Sequence, residues 1–183
     1  MKVTLIQIDK TTENYLIEGI SIYLKRLKNY TAFEIATINV PKAVRMRPEA
    51  EQKSEESKLI QKQLKENDYL VILDEGGNLL NSVGFSSFLT KKALENVKNL
   101  VFLIGGPYGF DASIYKRANY KLSLSPMTFS HQMVRLFFVE QLYRAYTITK
   151  GEKYHHIWYL LEFKRLRLNF RCFKHSAFNK KLV

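Results

Sequence analysis

Apolar positions along the chain alternate between short runs and longer helical stripes. Val3, Leu5, Ile6 and Ile8 mark a strand over residues 3–8. Tyr15, Leu16, Ile20, Tyr23, Leu24 and Leu27 recur at helical spacing, which predicts a helix over 13–28. Phe33, Ile35, Thr37 and Asn39 alternate with Glu34, Ala36, Ile38 and Val40, the period of a second strand. Residues 41–48 read as a basic loop carrying Lys42, Arg45 and Arg47, and 49–66 as a charged, solvent-exposed helix. Residues 69–74 form a continuous apolar run, as in a parallel strand covered on both faces. Glu75-Gly76-Gly77-Asn78 ends it. Ser82 caps a helix to about residue 97. A strand at 100–104, a short helix near 111–118 and a strand at 121–124 follow. The last predicted helix runs over 131–150, with Ser130 as N-cap and Gly151 as the residue just past its end. This alternation predicts an α/β fold with a mainly parallel sheet flanked by helices.

Charge adds a partner class. The chain has 183 residues and a formal net charge of +12. A basic balance points to polyanions, nucleic acid before a membrane surface. The excess is uneven: the segment after residue 156 carries seven basic residues and one acidic, half of the total. Cys172 is the single cysteine, which excludes an internal disulfide and a cysteine-built zinc site. No apolar run approaches the ~18 residues of a membrane span. The first residues read as a strand and not as a signal peptide, so a cytoplasmic protein without membrane contact is expected.

Three strand ends release loops of similar character: Leu73-Asp74-Glu75-Gly76, Gly105-Gly106-Pro107-Tyr108-Gly109, and Leu124-Ser125-Pro126-Met127-Thr128-Phe129. In open α/β sheets ligands bind beyond the carboxyl ends of strands. The glycine loop is neither the dinucleotide fingerprint nor a P-loop, and by itself is equally a plain turn. The carboxylates of Asp74 and Glu75 suit ribose hydroxyls or a cation, but more often such residues only cap a turn, and they receive no role here. The helix 131–150 is apolar nearly all round, the pattern of a buried or interface helix. Glu140 and Arg144 are spaced for an intrahelical pair. His131, His155, His156 and His175 lack a metal-ligand spacing, so no metal site is expected.

The residues also resemble a known family. Phe102-Leu103-Ile104-Gly105-Gly106 with Gly109, then Leu122-Ser123-Leu124-Ser125-x-Met127-Thr128-Phe129-x-His131-x-x-x-Arg135, then Glu140-Gln141-Leu142-Tyr143-Arg144-Ala145, then Tyr154-His155, closely resemble the RlmH family. These are bacterial large-subunit ribosomal RNA pseudouridine-N3 methyltransferases of the SPOUT (α/β-knot) superfamily. The resemblance covers residues 1–156. It implies a SPOUT fold with a C-terminal trefoil knot, an exception to the rule against knots. It implies S-adenosyl-L-methionine as methyl donor, held by Leu73, Gly105, Leu124, Ser125, Pro126, Met127, Thr128 and Phe129. It implies a homodimer with its active site across the interface, acting on 23S ribosomal RNA in the assembled ribosome. His155 is the candidate for proton handling, Arg144 for charge or phosphate, and Tyr154 for orienting the base. His131, at a helix start, is expected to serve structure alone.

Two departures stand out. Ser130 replaces a proline common in the family, and an N-cap serine is physically sound there. The chain also continues past residue 156, giving a domain over 1–156 and a basic, aromatic extension over 157–183. The extension is either an added RNA- or membrane-contacting segment or one without function. The second reading is preferred, since a tail at an active-site terminus risks blocking it. The competing reading for the whole chain is a non-catalytic ribosome- or RNA-binding module of the same fold.

Overall fold

Successive residues of each inner strand enter two different apolar clusters, one on each face of the sheet. The computed structural model describes residues 1–154. Its elements run β1 (Lys2–Ile8), α1 (Asn14–Leu27), β2 (Phe33–Ile38), α2 (Lys42–Arg45), α3 (Glu49–Gln63), β3 (Tyr69–Leu79), α4 (Ser82–Leu94), β4 (Asn99–Ile104), α5 (Ala112–Arg117), β5 (Tyr120–Ser123) and α6 (Met133–Thr149). All strand pairs are parallel, in the order β2-β1-β4-β3-β5. Val3 and Leu5 of β1, Val71 of β3, and Leu100, Phe102 and Ile104 of β4 face α1, α4 and α6. Ile6, Ile8, Leu70, Ile72, Val101 and Leu103 face the side that carries Ile60 of α3 and Ile114 of α5. Two covered faces explain the unbroken apolar runs.

Four local differences from the sequence reading have physical causes. The basic loop contains the one-turn helix α2, which buries Val44. Helix α3 is not wholly solvent-exposed: it buries Gln52, Glu56, Ser57 and Ile60, a mostly polar face. Strand β3 does not stop at Asp74; it bulges and rejoins β5, so that Leu73 and later Asn78 both register with Leu122. Finally, Asn81 and not Ser82 caps α4, its side-chain oxygen accepting the Gly84 N–H at 2.7 Å. Asn81→Ala is expected to cost about 1 kcal/mol in equilibrium urea unfolding.

Helix α6 needs no partner subunit to cover most of its apolar surface. It lies between α1 and α4 against the sheet. Ser86 of α4 donates to the Ala145 carbonyl at 2.9 Å, and Gly19 of α1 gives Leu136 room to approach. Of its large apolar side chains, Phe137 is exposed. Packing within the chain thus accounts for much of the apolar surface of this helix. Past its end Gly151 takes φ +68°, as its predicted position requires.

The buried face of α3 has a pH signature. Glu56 accepts from Gln52 at 2.8 Å, and burial raises its carboxyl pKa above the ordinary 4.5. A raised carboxyl destabilises the fold once it is ionised, so stability is lost as pH climbs from the ordinary value through the raised one. Glu56→Gln is expected to raise the melting temperature at pH 8. Its advantage should vanish below about pH 4 in thermal melts run across pH.

Candidate active site

The carboxyl ends of β3, β4 and β5 enclose a cavity of about 620 Å³, within the range of small-molecule sites. Strand β4 ends at Ile104 and delivers Gly105 and Gly106 to its wall. A Cβ on Gly105 would sit 3.0 Å from the buried Phe110 ring, so glycine lets the backbone itself form the wall. Gly106 and Gly109 form a bridge, with Gly109 at φ +75°. The third loop braces itself: Ser123 donates to the Ser125 carbonyl at 2.9 Å, and Ser125 Oγ accepts the Met127 N–H at 2.9 Å. Thr128 donates to Glu75 Oε2 at 3.2 Å and joins this loop to the β3 bulge. Helix α6 starts at Met133, two residues later than predicted, with Gln132 and not Ser130 at the cap position; Ser130 Oγ still accepts the Met133 N–H at 3.2 Å across the preceding turn.

Seven of the eight residues expected to hold a cofactor line this cavity: Leu73, Gly105, Leu124, Ser125, Met127, Thr128 and Phe129. Pro126 shapes the loop without facing the cavity. The fit to an adenosine-bearing ligand rests on backbone edges at Gly105 and the 124–129 loop, apolar walls, and exposed Met127 and Phe129 at the mouth. The sequence reading left three lining groups without a role. Tyr115 donates to Asp74 Oδ2 at 2.6 Å, and its phenol is pushed up to about 12 by burial and that carboxylate. Asp74 and Glu75 are the other two. His131 also lines the cavity; loss of solvent and the charge of Arg135 hold its imidazole below the ordinary value.

Arg144 and Tyr154 lie together in a separate cluster and do not line the cavity. Glu140 Oε1 accepts from Arg144 Nε at 3.0 Å and from Nη2 at 2.5 Å, the pair predicted from spacing. That pair raises the Arg144 pKa. The guanidinium lies 4.8 Å from the centre of the Tyr154 ring, a cation–π distance. Tyr154 donates to Glu140 at 3.2 Å, and its hydroxyl lies 3.5 Å from that of Tyr23 on α1. Burial, then Tyr23, pushes the Tyr154 phenol far up. Tyr23 belongs to the α1 stripe and carried no sequence signal beyond helical spacing. His155 lies outside the described residues, as does the 157–183 extension.

A family model described as "Predicted SPOUT methyltransferase" matches residues 1–155. A protein of Cytophaga hutchinsonii named Ribosomal RNA large subunit methyltransferase H is 53% identical over 156 residues, covering 85% of this chain and 100% of that one. Proteins of the same name from Parabacteroides distasonis and Flavobacterium johnsoniae are 51% and 52% identical, each over 85% of this chain and 99% of theirs. Among solved structures, the SpoU methyltransferase AviRb of Streptomyces viridochromogenes aligns at a TM-score of 0.39 and 12% identity, over 78% of this chain and 57% of that one, too loosely to argue from. A parallel sheet with its cavity at three strand ends, a family model spanning 1–155 and relatives matched along almost their whole length agree: this chain belongs to the SPOUT methyltransferase family.

Proposed function

We propose that this protein methylates N3 of a pseudouridine in 23S ribosomal RNA on the assembled large subunit, using S-adenosyl-L-methionine. One observation carries the reading. The strand-end cavity is walled by Leu73, Gly105 and the 124–129 loop in a chain whose relatives bear the name Ribosomal RNA large subunit methyltransferase H. Net charge of +12 supports an RNA substrate, because phosphate contacts supply affinity and orientation. The setting that follows is the bacterial cytoplasm. The trefoil knot of the superfamily belongs to the same reading.

Bound S-adenosylmethionine supplies a methyl group already activated by its sulfonium charge. The protein's share is placement, exclusion of water and management of the N3 proton. Leu73 and Leu124 give apolar walls, and Met127 and Phe129 shield the mouth. Glu140 occupies Nε and Nη2 of Arg144, which leaves Nη1 to meet RNA phosphate or the ring as it becomes anionic. The raised Tyr154 phenol keeps its proton at neutral pH and donates a hydrogen bond to Glu140, so Tyr154 orients the base by ring contact and does not act as the base. His155 is assigned the proton, since an imidazole titrates near neutrality.

Arg144 and Tyr154 do not line the cavity of their own chain, which supports a homodimer in which the cluster of one protomer completes the cavity of its partner. The test is incubation with ribosomes lacking the modification, followed by mass mapping of the large-subunit RNA. One N3-methylated pseudouridine is expected; an unmodified RNA, or a methyl elsewhere, would overturn the reading. In the same assay Arg144→Met and His155→Ala are each expected to lower turnover by about 10²-fold or more. Near-normal rates for either would remove that residue from the chemistry. Ending the chain at His156 is expected to leave activity and ribosome affinity unchanged, consistent with a 1–156 domain and an extension without function.

A further inference from the structure

The cavity's charge is opposite to that of the protein. The whole chain is strongly basic, yet among the described residues the cavity lining includes the carboxylates of Asp74 and Glu75 and no lysine or arginine. Lys121 lies 5.8 Å from the centre of the Tyr115 ring but does not line the cavity. His131, the remaining ionisable base of the wall among the described residues, is held toward its neutral form. Both carboxylates are fixed in place. Asp74 accepts from the Tyr115 hydroxyl at 2.6 Å and the Gly76 N–H at 2.9 Å, and Glu75 accepts from Thr128 at 3.2 Å.

We propose that Asp74 and Glu75 make the pocket prefer the cationic sulfonium donor over its uncharged thioether product. The inference rests on the S-adenosylmethionine reading above. The donor carries one positive charge more than S-adenosylhomocysteine, and the two are otherwise nearly the same shape. Walls that recognise the shared adenosine and amino-acid parts cannot tell them apart. A fixed negative field can, because it acts on the one difference between them and need not touch it. When the methyl leaves, the charge leaves with it, and the same carboxylates cease to hold the product. The geometry thus assigns these residues to donor selection and product release.

Calorimetric binding of S-adenosylmethionine, S-adenosylhomocysteine and sinefungin, whose amine restores a cation near the sulfur position, tests this on the full chain. Wild type should bind the two cationic ligands more tightly than the thioether, with the gap shrinking as salt rises. Glu75→Gln keeps an acceptor for Thr128 and removes only the charge. It should weaken both cationic ligands on the order of 3- to 10-fold and leave the thioether nearly unchanged. Asp74→Asn should do the same. Thr128→Val breaks the clasp but keeps the charge, and should weaken all three ligands together. If Glu75→Gln and Asp74→Asn shift all three ligands in parallel, or none, the charge proposal is overturned while the cofactor reading stands. If wild type binds none of the three, both fall.

Discussion

Replacing Gly77 with alanine is expected to destabilise the protein by about 3 kcal/mol or more and to abolish measurable cofactor binding. A Cβ at this position would lie 2.7 Å from the Leu122 carbonyl carbon, and 2.8 Å from the amide nitrogens of both Leu122 and Ser123. All three are backbone atoms of β5, so no side chain can rotate away to make room. Either the β3 bulge lifts off or β5 moves, and β5 leads directly into the loop that carries six of the eight cofactor candidates. Gly76 provides the control. Its Cβ would meet only Asp74 Oδ1, at 3.2 Å, on an exposed segment, so Gly76→Ala should change stability by less than about 1 kcal/mol. Urea unfolding and cofactor calorimetry on the two variants would decide it. If Gly77→Ala behaves like Gly76→Ala, the close crossing is not what fixes the pocket.

That crossing is also where sequence reasoning went astray. Glu75-Gly76-Gly77-Asn78 reads as a terminator because glycine pairs usually end strands. Here glycine serves close passage between two backbones, a long-range demand that local pattern does not reveal. The same limit applies to α3. Its buried face consists of Gln52, Glu56, Ser57 and Ile60, so polarity suggested exposure although tertiary packing covers it. The inner strands were legible because burial on both faces leaves apolar runs at 3–8, 69–74 and 100–104. The cavity was legible because its walls are loops released by the ends of β3, β4 and β5, each marked by glycine, proline or serine. The Arg144 cluster was half legible. Spacing announced the Glu140–Arg144 pair, but Tyr23 arrives from a helix more than a hundred residues earlier. Asp74 and Glu75 carry no local signal beyond a turn cap; their charge gains meaning from a cavity lining that, among the described residues, lacks lysine and arginine.

Arg135→Ala is expected to be among the most destabilising single changes in the chain, by about 3–5 kcal/mol in equilibrium unfolding. Arg135 has no exposed surface, on a helix that joins the sheet to the cofactor loop. It donates to the Ile8 carbonyl at 2.6 Å and to Thr11 Oγ1 at 2.9 Å, tying the end of β1 to the start of α6. Alanine would orphan that carbonyl and leave a cavity the size of a long side chain, two costs that add. Methionine separates them. It refills much of the volume, still orphans the carbonyl, and removes a buried guanidinium whose Nε has no partner among the described residues. The cost of that buried charge offsets part of what its hydrogen bonds contribute. Arg135→Met should therefore lose only about 1–2 kcal/mol. Its function should suffer out of proportion, because His131 lies one turn before residue 135, the 124–129 loop runs into it, and both lose one of their anchors to the end of β1. The expected pattern is a folded Arg135→Met protein with weakened cofactor affinity beside an Arg135→Ala protein of markedly lower stability. Equal stability of the two variants would mean that the carbonyl contact, and not the filled volume, sets the cost. An Arg135→Met protein with normal cofactor affinity would show that the loop holds its shape through Ser123, Ser125, Thr128 and the Gln132–Thr12 contacts without Arg135.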